Sequence, residues 1–160
     1  AANSPGDEMK KAELLREALI AANTWCKANP ELITVWVEKG HIQIEATGEA
    51  SFMYHYTIQV LAMDFPGQID DLMLPLLAWV WQQQPDLLLN PDNNRKVEFD
   101  ADIVNDDVAD ILFKVPVWER VMVTNSNGAP KAEHLAEQRP RFNGGEWEMV
   151  FDPESGGSLV

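Results

Sequence analysis

Cysteine is nearly absent from this sequence. Cys26 is the one thiol in 160 residues, which excludes an intramolecular disulfide and a cysteine-based zinc site and leaves no mark of an oxidising compartment. Cations are scarce as well: 12 Lys and Arg stand against 26 Asp and Glu, for a net charge of -14 at pH 7. Neither sequence-specific nucleic-acid binding nor adhesion to an anionic membrane fits that balance, because both need clustered positive charge. No stretch reaches the roughly 18 consecutive apolar residues of a membrane-spanning helix, and Ala1–Glu8 has neither the basic start nor the apolar run of a signal peptide. Cytoplasmic synthesis is the expectation. Pro5–Gly6 interrupts this small, polar leader, and Met9 opens a strong helical pattern, so residues 1–8 are read as an added leader and Met9 as the native start.

Apolar residues nevertheless make up 46% of the chain, enough to build the core of one domain. Leu14, Leu15, Ala18, Leu19, Ala22, Trp25 and Cys26 recur every three or four positions and predict a helix from Lys10 to Asn29, ended by Pro30. Leu32–Glu38 and His41–Thr47, separated by Lys39–Gly40, read as a β-hairpin. Phe52, Tyr54, Tyr56, Ile58 and Val60 alternate with Met53, His55, Thr57, Gln59 and Leu61 to give a third strand. Past the Phe65–Gly67 turn, Ile69, Leu72, Met73, Leu76, Leu77 and Val80 trace a second helical stripe, in which Pro75 suggests a kink or a later start. Val97, Phe99, Ala101 and Ile103 alternate with Glu98, Asp100 and Asp102, and a last strand over Ile111–Thr124 contains Pro116, which assigns it to a sheet edge or a bulge. The expected fold is α+β over residues 9–124: a largely antiparallel sheet of about five strands packed against two helices. Beyond Asn125, breakers leave an extended C-terminal arm, residues 125–160, where only Glu146–Phe151 could form a strand.

No catalytic, cofactor or metal site is expected. His41, His55 and His134 lack the H-x-x-x-H and H-E-x-x-H spacings, and no phosphate loop or nucleophile elbow occurs. Cys26 lies on an apolar stripe, where a thiol behaves as a small hydrophobe. Asp100, Asp102, Asp106, Asp107 and Asp110 do not follow a calcium-loop pattern; they read as the wet face of a strand and a turn. The unusual feature is six tryptophans. Trp79 and Trp81 cannot both face inward on one narrow stripe, and Trp118 shares a strand face with Lys114 and Arg120. Trp36, Trp79, Trp81 and Trp118 are therefore the candidate oligomer or partner contacts, since exposed tryptophan supplies large buried area at low entropic cost.

Several segments, in order, carry a resemblance: Met9–Leu19, Thr34–Ile42, Ser51–Thr57, Asp64–Gly67, Leu72–Trp79, Gln84–Leu88 and Asn105–Asp107. Together they resemble the tail completion protein R (GpR) family of Peduovirus-type contractile-tailed phages, over roughly Met9–Val123. The resemblance implies a non-enzymatic virion protein at the head-proximal end of the tail, made in the host bacterial cytoplasm. It further implies, by analogy with other tail terminators, a hexameric ring that contacts the tail tube protein and the head-tail connector protein. Such a ring must pass DNA without holding it, and carboxylates repel phosphate within roughly a 10 Å screening length. The acidic set Asp100–Asp110 is thus expected to line or rim the channel. Two alternatives stay open: a soluble adaptor or chaperone-like binding module for a tail or head protein, and a small acidic enzyme.

Overall fold

A computed structural model describes residues 10–44, 48–136 and 146–151. The leader assigned to residues 1–8, and residues 137–145 and 152–160 of the assigned arm, lie outside the described residues. The predicted first helix is divided in two, α1 (Lys10–Ala22) and α2 (Thr24–Ala28). Asn23 causes the break: it adopts an extended conformation, and its side-chain oxygen accepts from the Cys26 amide at 3.0 Å, starting α2 afresh. A 3-10 turn at Pro30–Leu32 leads into β1 (Ile33–Ile44).

The expected hairpin at Lys39–Gly40 is not formed. Strand β1 runs straight through it and pairs antiparallel with β2 (Ser51–Phe65) along its length, while Lys39 and Gly40 together face Tyr56 in a bulge. Lys39 takes a positive φ of 48°, so the pair absorbs one extra residue instead of reversing the chain. A second bulge, at Met63–Asp64, interrupts the pairing of β2 with β4. There the Asp64 amide donates to the Asp110 carboxylate at 2.9 Å, which satisfies a group the ladder leaves out.

Helix α3 (Ile69–Gln83) starts at Ile69, ahead of Pro75. Its first turn is fixed by the Asp71 carboxylate, which accepts from the Gln68 amide at 3.3 Å. Pro75 cannot donate to the Asp71 carbonyl, and Asn23 Nδ2 takes over that role at 3.1 Å. The short α4 (Asp86–Leu89) and a 3-10 turn (Pro91–Asn93) precede β3 (Glu98–Ile103). Strand β4 (Ala109–Ser126) then crosses the molecule and turns at Asn127–Gly128 into β5 (Ala129–His134). Both turn residues have positive φ, 53° and 84°, so this Asn-Gly pair, within the stretch assigned to an extended arm, is the apex of a hairpin. The segment with strand potential at the end of the arm is instead the helix α5 (Glu146–Phe151).

The fold is α+β with one five-stranded antiparallel sheet in the order β1-β2-β4-β3, with β5 also paired to β4. Two of the expected strands are one, and the fifth comes from the arm. Tyr56, Ile58 and Val60 of β2, with Phe113, Val115 and Val117 of β4, form the inner face against Leu15 and Leu19 of α1 and Leu72, Leu76 and Trp79 of α3.

Strand β4 is central, not an edge, and its proline explains how. Strand β3 pairs with it as far as Lys114, and β5 takes over at Val121. Between them one side of β4 has no strand neighbour, and Pro116 falls within that gap. The Trp118 backbone in the same gap is served by side chains: its amide donates to Gln84 Oε1 at 3.3 Å, and its carbonyl accepts from Lys11 Nζ at 2.9 Å. Lys11 Nζ also donates to Gln84 Oε1 at 2.8 Å. A buried lysine and a buried glutamine thus replace a missing strand.

Candidate assembly surfaces

The titratable groups are arranged structurally. Burial pushes the Cys26 thiol up to about 11, which leaves no thiolate for nucleophilic work near neutral pH. His41 and His55, opposite each other across β1 and β2, stack with ring centres 4.6 Å apart. Burial, the neighbouring His41 and Lys96 together lower the His55 pKa. His134 stacks on Tyr54, and its Nδ1 lies 4.0 Å from Glu119 Oε2. Among the described residues no cluster of three or more His, Cys, Asp or Glu is placed to hold a metal ion.

The tryptophans divide between core and surface differently from the sequence expectation. Trp79 and Trp81 are each 4% exposed, so both are buried despite lying two residues apart on α3. Trp79 enters the core between α1 and the sheet. Trp81 is covered from another direction by Phe151 of α5, with ring centres 6.4 Å apart. Helix α3 is thus covered from two directions, so a single narrow stripe does not limit which of its tryptophans are buried. Trp36 and Trp118 are half-buried and lie on the sheet face away from the helices; the Trp118 ring neighbours His55, and Lys96 Nζ sits 6.0 Å from its centre.

The acidic residues gather on one hairpin, made of β3, the turn and the start of β4. Asp100 and Asp102 share the outer face of β3 with Glu98 and are exposed, as are Asp106 and Asp107 in the turn. Asn105 Oδ1 organises that turn by accepting from the Asp107 and Val108 amides at 2.8 and 3.1 Å. Asp110 stands directly opposite Asp102 in the β3–β4 pairing but differs from the others in its surroundings. It is half-buried, and its carboxylate completes the β2 bulge. On the opposite face of β3, Phe99 and Ile103 stay exposed at 59% and 76%, and Val104, just past the strand, at 51%. Phe99 borders an apolar groove of about 420 Å³ between α3 and β3, floored by Leu76, Val80, Leu87 and Phe113.

One surface was not foreseen. Lys39, Arg95, Lys96 and Lys114 converge on a cleft of about 490 Å³ on the outer sheet face, beside Glu38 and Glu98. Lys39 arrives on the β1 bulge, Arg95 and Lys96 on the loop before β3, and Lys114 on β4. The adjacent Arg95–Lys96 pair was the available signal, but the other two cations join it only through strand register.

Across residues 9–138 the chain matches the family described as P2 phage tail completion protein R (GpR). The chain belongs to this family. Tail completion protein R of Escherichia phage P2 is 35% identical to it over 133 residues, covering 82% of this chain and 86% of that protein. No solved structure matches. The tail completion protein R match extends past β4 and takes in all of β5, ending before α5. The hairpin that carries the acidic residues and all four cations of the cleft fall inside the matched span.

Proposed function

We propose that this protein is a non-enzymatic structural component that completes the phage tail at its head-proximal end, assembling there as a ring, hexameric by analogy with other tail terminators, between the tail tube and the head connector. Family membership across the whole sheet and both long helices is the observation that carries this reading. The surface is compatible with it. A ring needs two unlike patches on each subunit, and this subunit has an acid-rich, partly apolar hairpin and, adjoining its base at Glu98 and Lys114, a cationic cleft.

The test is a reconstruction of the head-proximal tail end from virions, with tails isolated from a lysate grown without the protein as the control. Ring density that accepts this fold, and is missing from the control, is the expected result. Density at the distal end, or none, refutes it.

The apolar groove between α3 and β3 favours a second reading, an adaptor or chaperone-like module that holds an apolar segment of a tail or head protein. Quantitative mass spectrometry of purified virions separates the two. A chaperone is left out of the finished particle, and a tail component is retained.

A further inference from the structure

Given self-association into a ring, we propose that the contact between neighbouring subunits is electrostatic and heterologous: the acidic β3–β4 hairpin of one copy docks in the cationic cleft of a second copy of this chain. Charge complementarity identifies the occupant. From Glu98 to Asp110 the sequence holds six carboxylates, Glu98, Asp100, Asp102, Asp106, Asp107 and Asp110, and no Lys or Arg. In a chain of net charge -14 with only 12 cations, four of them, Lys39, Arg95, Lys96 and Lys114, line a single cleft.

Little of this charge is used within the subunit. Lys114 Nζ lies 3.9 Å from Asp100, and Asp110 is held by the Asp64 amide. Glu38, at the cleft, accepts from Gln59. Lys39, Arg95 and Lys96 make no ion pair with any described residue, and Asp102, Asp106 and Asp107 offer their carboxylates to solvent. An isolated cluster of one sign on a surface is ordinary; two clusters of opposite sign on one chain, each with charges that form no ion pair, make a donor and an acceptor.

The shape of the hairpin fits insertion. Its two strands close through Val104, whose amide donates to the Val108 carbonyl at 3.2 Å, and six residues of β3 extend it by about 20 Å. A nucleic-acid strand is a poorer occupant of the same cleft. Glu38 and Glu98 sit among the cations, and a phosphate backbone leaving the cleft along the outer face would run into the acidic hairpin. A short acidic hairpin can place its carboxylates between these two glutamates, and burying Phe99, Ile103 or Val104 against the neighbour adds apolar area.

The contact is tested by reversing each patch on separate proteins. One carries Lys39→Glu, Arg95→Glu and Lys96→Glu. The other carries Asp102→Lys, Asp106→Lys and Asp107→Lys, leaving Asp100 and Asp110 with their internal partners. Circular dichroism and thermal melting confirm folding, and assembly is read by native mass spectrometry and by binding to purified tail tubes. Each variant alone should assemble at least about ten-fold more weakly than the parent. A one-to-one mixture should regain assembly, with the two variants alternating, because each hairpin then meets a cleft of opposite sign. If either variant alone assembles like the parent, or the mixture fails to recover, the proposed contact is wrong while the ring stands. Normal rings from the hairpin variant that yield non-infectious particles would assign the hairpin to the channel and equally overturn the contact. A parent protein that forms no ring, alone or on tubes, removes the ring reading and this contact with it.

Discussion

Gln84→Ala is the sharpest probe of how the open side of β4 is closed. Gln84 is 0% exposed, and its Oε1 accepts from Lys11 Nζ at 2.8 Å and from the Trp118 amide at 3.3 Å. Alanine leaves that amide without its acceptor, at about 1–3 kcal/mol, and removes a hydrogen bond from a charged donor worth about 1.5–3 kcal/mol. Lys11 keeps the Trp118 carbonyl at 2.9 Å, so the lower half of each range applies and the total comes near 3 kcal/mol. For a chain of 160 residues that is a melting temperature lower by about 6–12 °C. Lys11→Met should cost about 2 kcal/mol by the same reasoning. Because the two variants share one hydrogen bond, the double variant should lose about 1 kcal/mol less than the sum. Urea unfolding followed by circular dichroism gives all three values. Additivity within about 0.5 kcal/mol, or a melting temperature for Gln84→Ala within about 2 °C of the parent, refutes the seal.

The compensation at Pro75 predicts a conditional cost. Asn23→Asp keeps the oxygen that caps α2 but not the donor to the Asp71 carbonyl, so it should destabilise by about 0.5–1 kcal/mol; with Pro75→Ala restoring the helical amide, that cost should vanish in a denaturation cycle, and an undiminished cost refutes the link. Cys26 has its pKa raised from 9.0 to about 11 by burial, so its neutral form contributes stability that is complete below pH 9 and lost as the pH rises toward 11. Cys26→Ala should flatten the stability profile across that window, and an unchanged slope there counts against a buried thiol. His55 has the opposite sign: its pKa is lowered from 6.5 by burial, His41 and Lys96, so the unfolded chain binds more protons and stability falls as the pH drops below 6.5. His55→Gln should lose less stability on acidification than the parent, and an equal or greater loss refutes the assignment.

Wherever one periodicity governed a segment and one layer covered it, the sequence was sufficient. The stripes of α1 and α3 face the core as spaced apart from the exposed Ala22 and from Leu77, which lines the groove, the alternation of β2 assigns both of its faces, and Glu98, Asp100 and Asp102 do occupy the wet side of β3. The failures share a physical origin in groups that are satisfied from a distance. A Lys-Gly pair can reverse a chain or bulge it, and what decides at Lys39–Gly40 is that β2 offers Tyr56 opposite. Pro116 argues against a central strand only if both sides of that strand must be paired, and here Lys11 and Gln84 remove the requirement. Trp81 needed a cover supplied by Phe151, 70 residues later. Of the two surfaces, the acidic one is contiguous in sequence and was visible, whereas the cationic cleft is assembled by strand register and was not.

The seal on β4 also times the folding of the chain. The lysine that closes it lies near the N-terminus, and the carbonyl it serves is 107 residues further on. At a synthesis rate of about 5–20 residues per second, α1 waits about 5–20 s on the ribosome before its partner has been made. Gln84, the other acceptor of the Lys11 ammonium, is made 73 residues after it, so the seal is complete only once the last long strand brings the Trp118 carbonyl to join it.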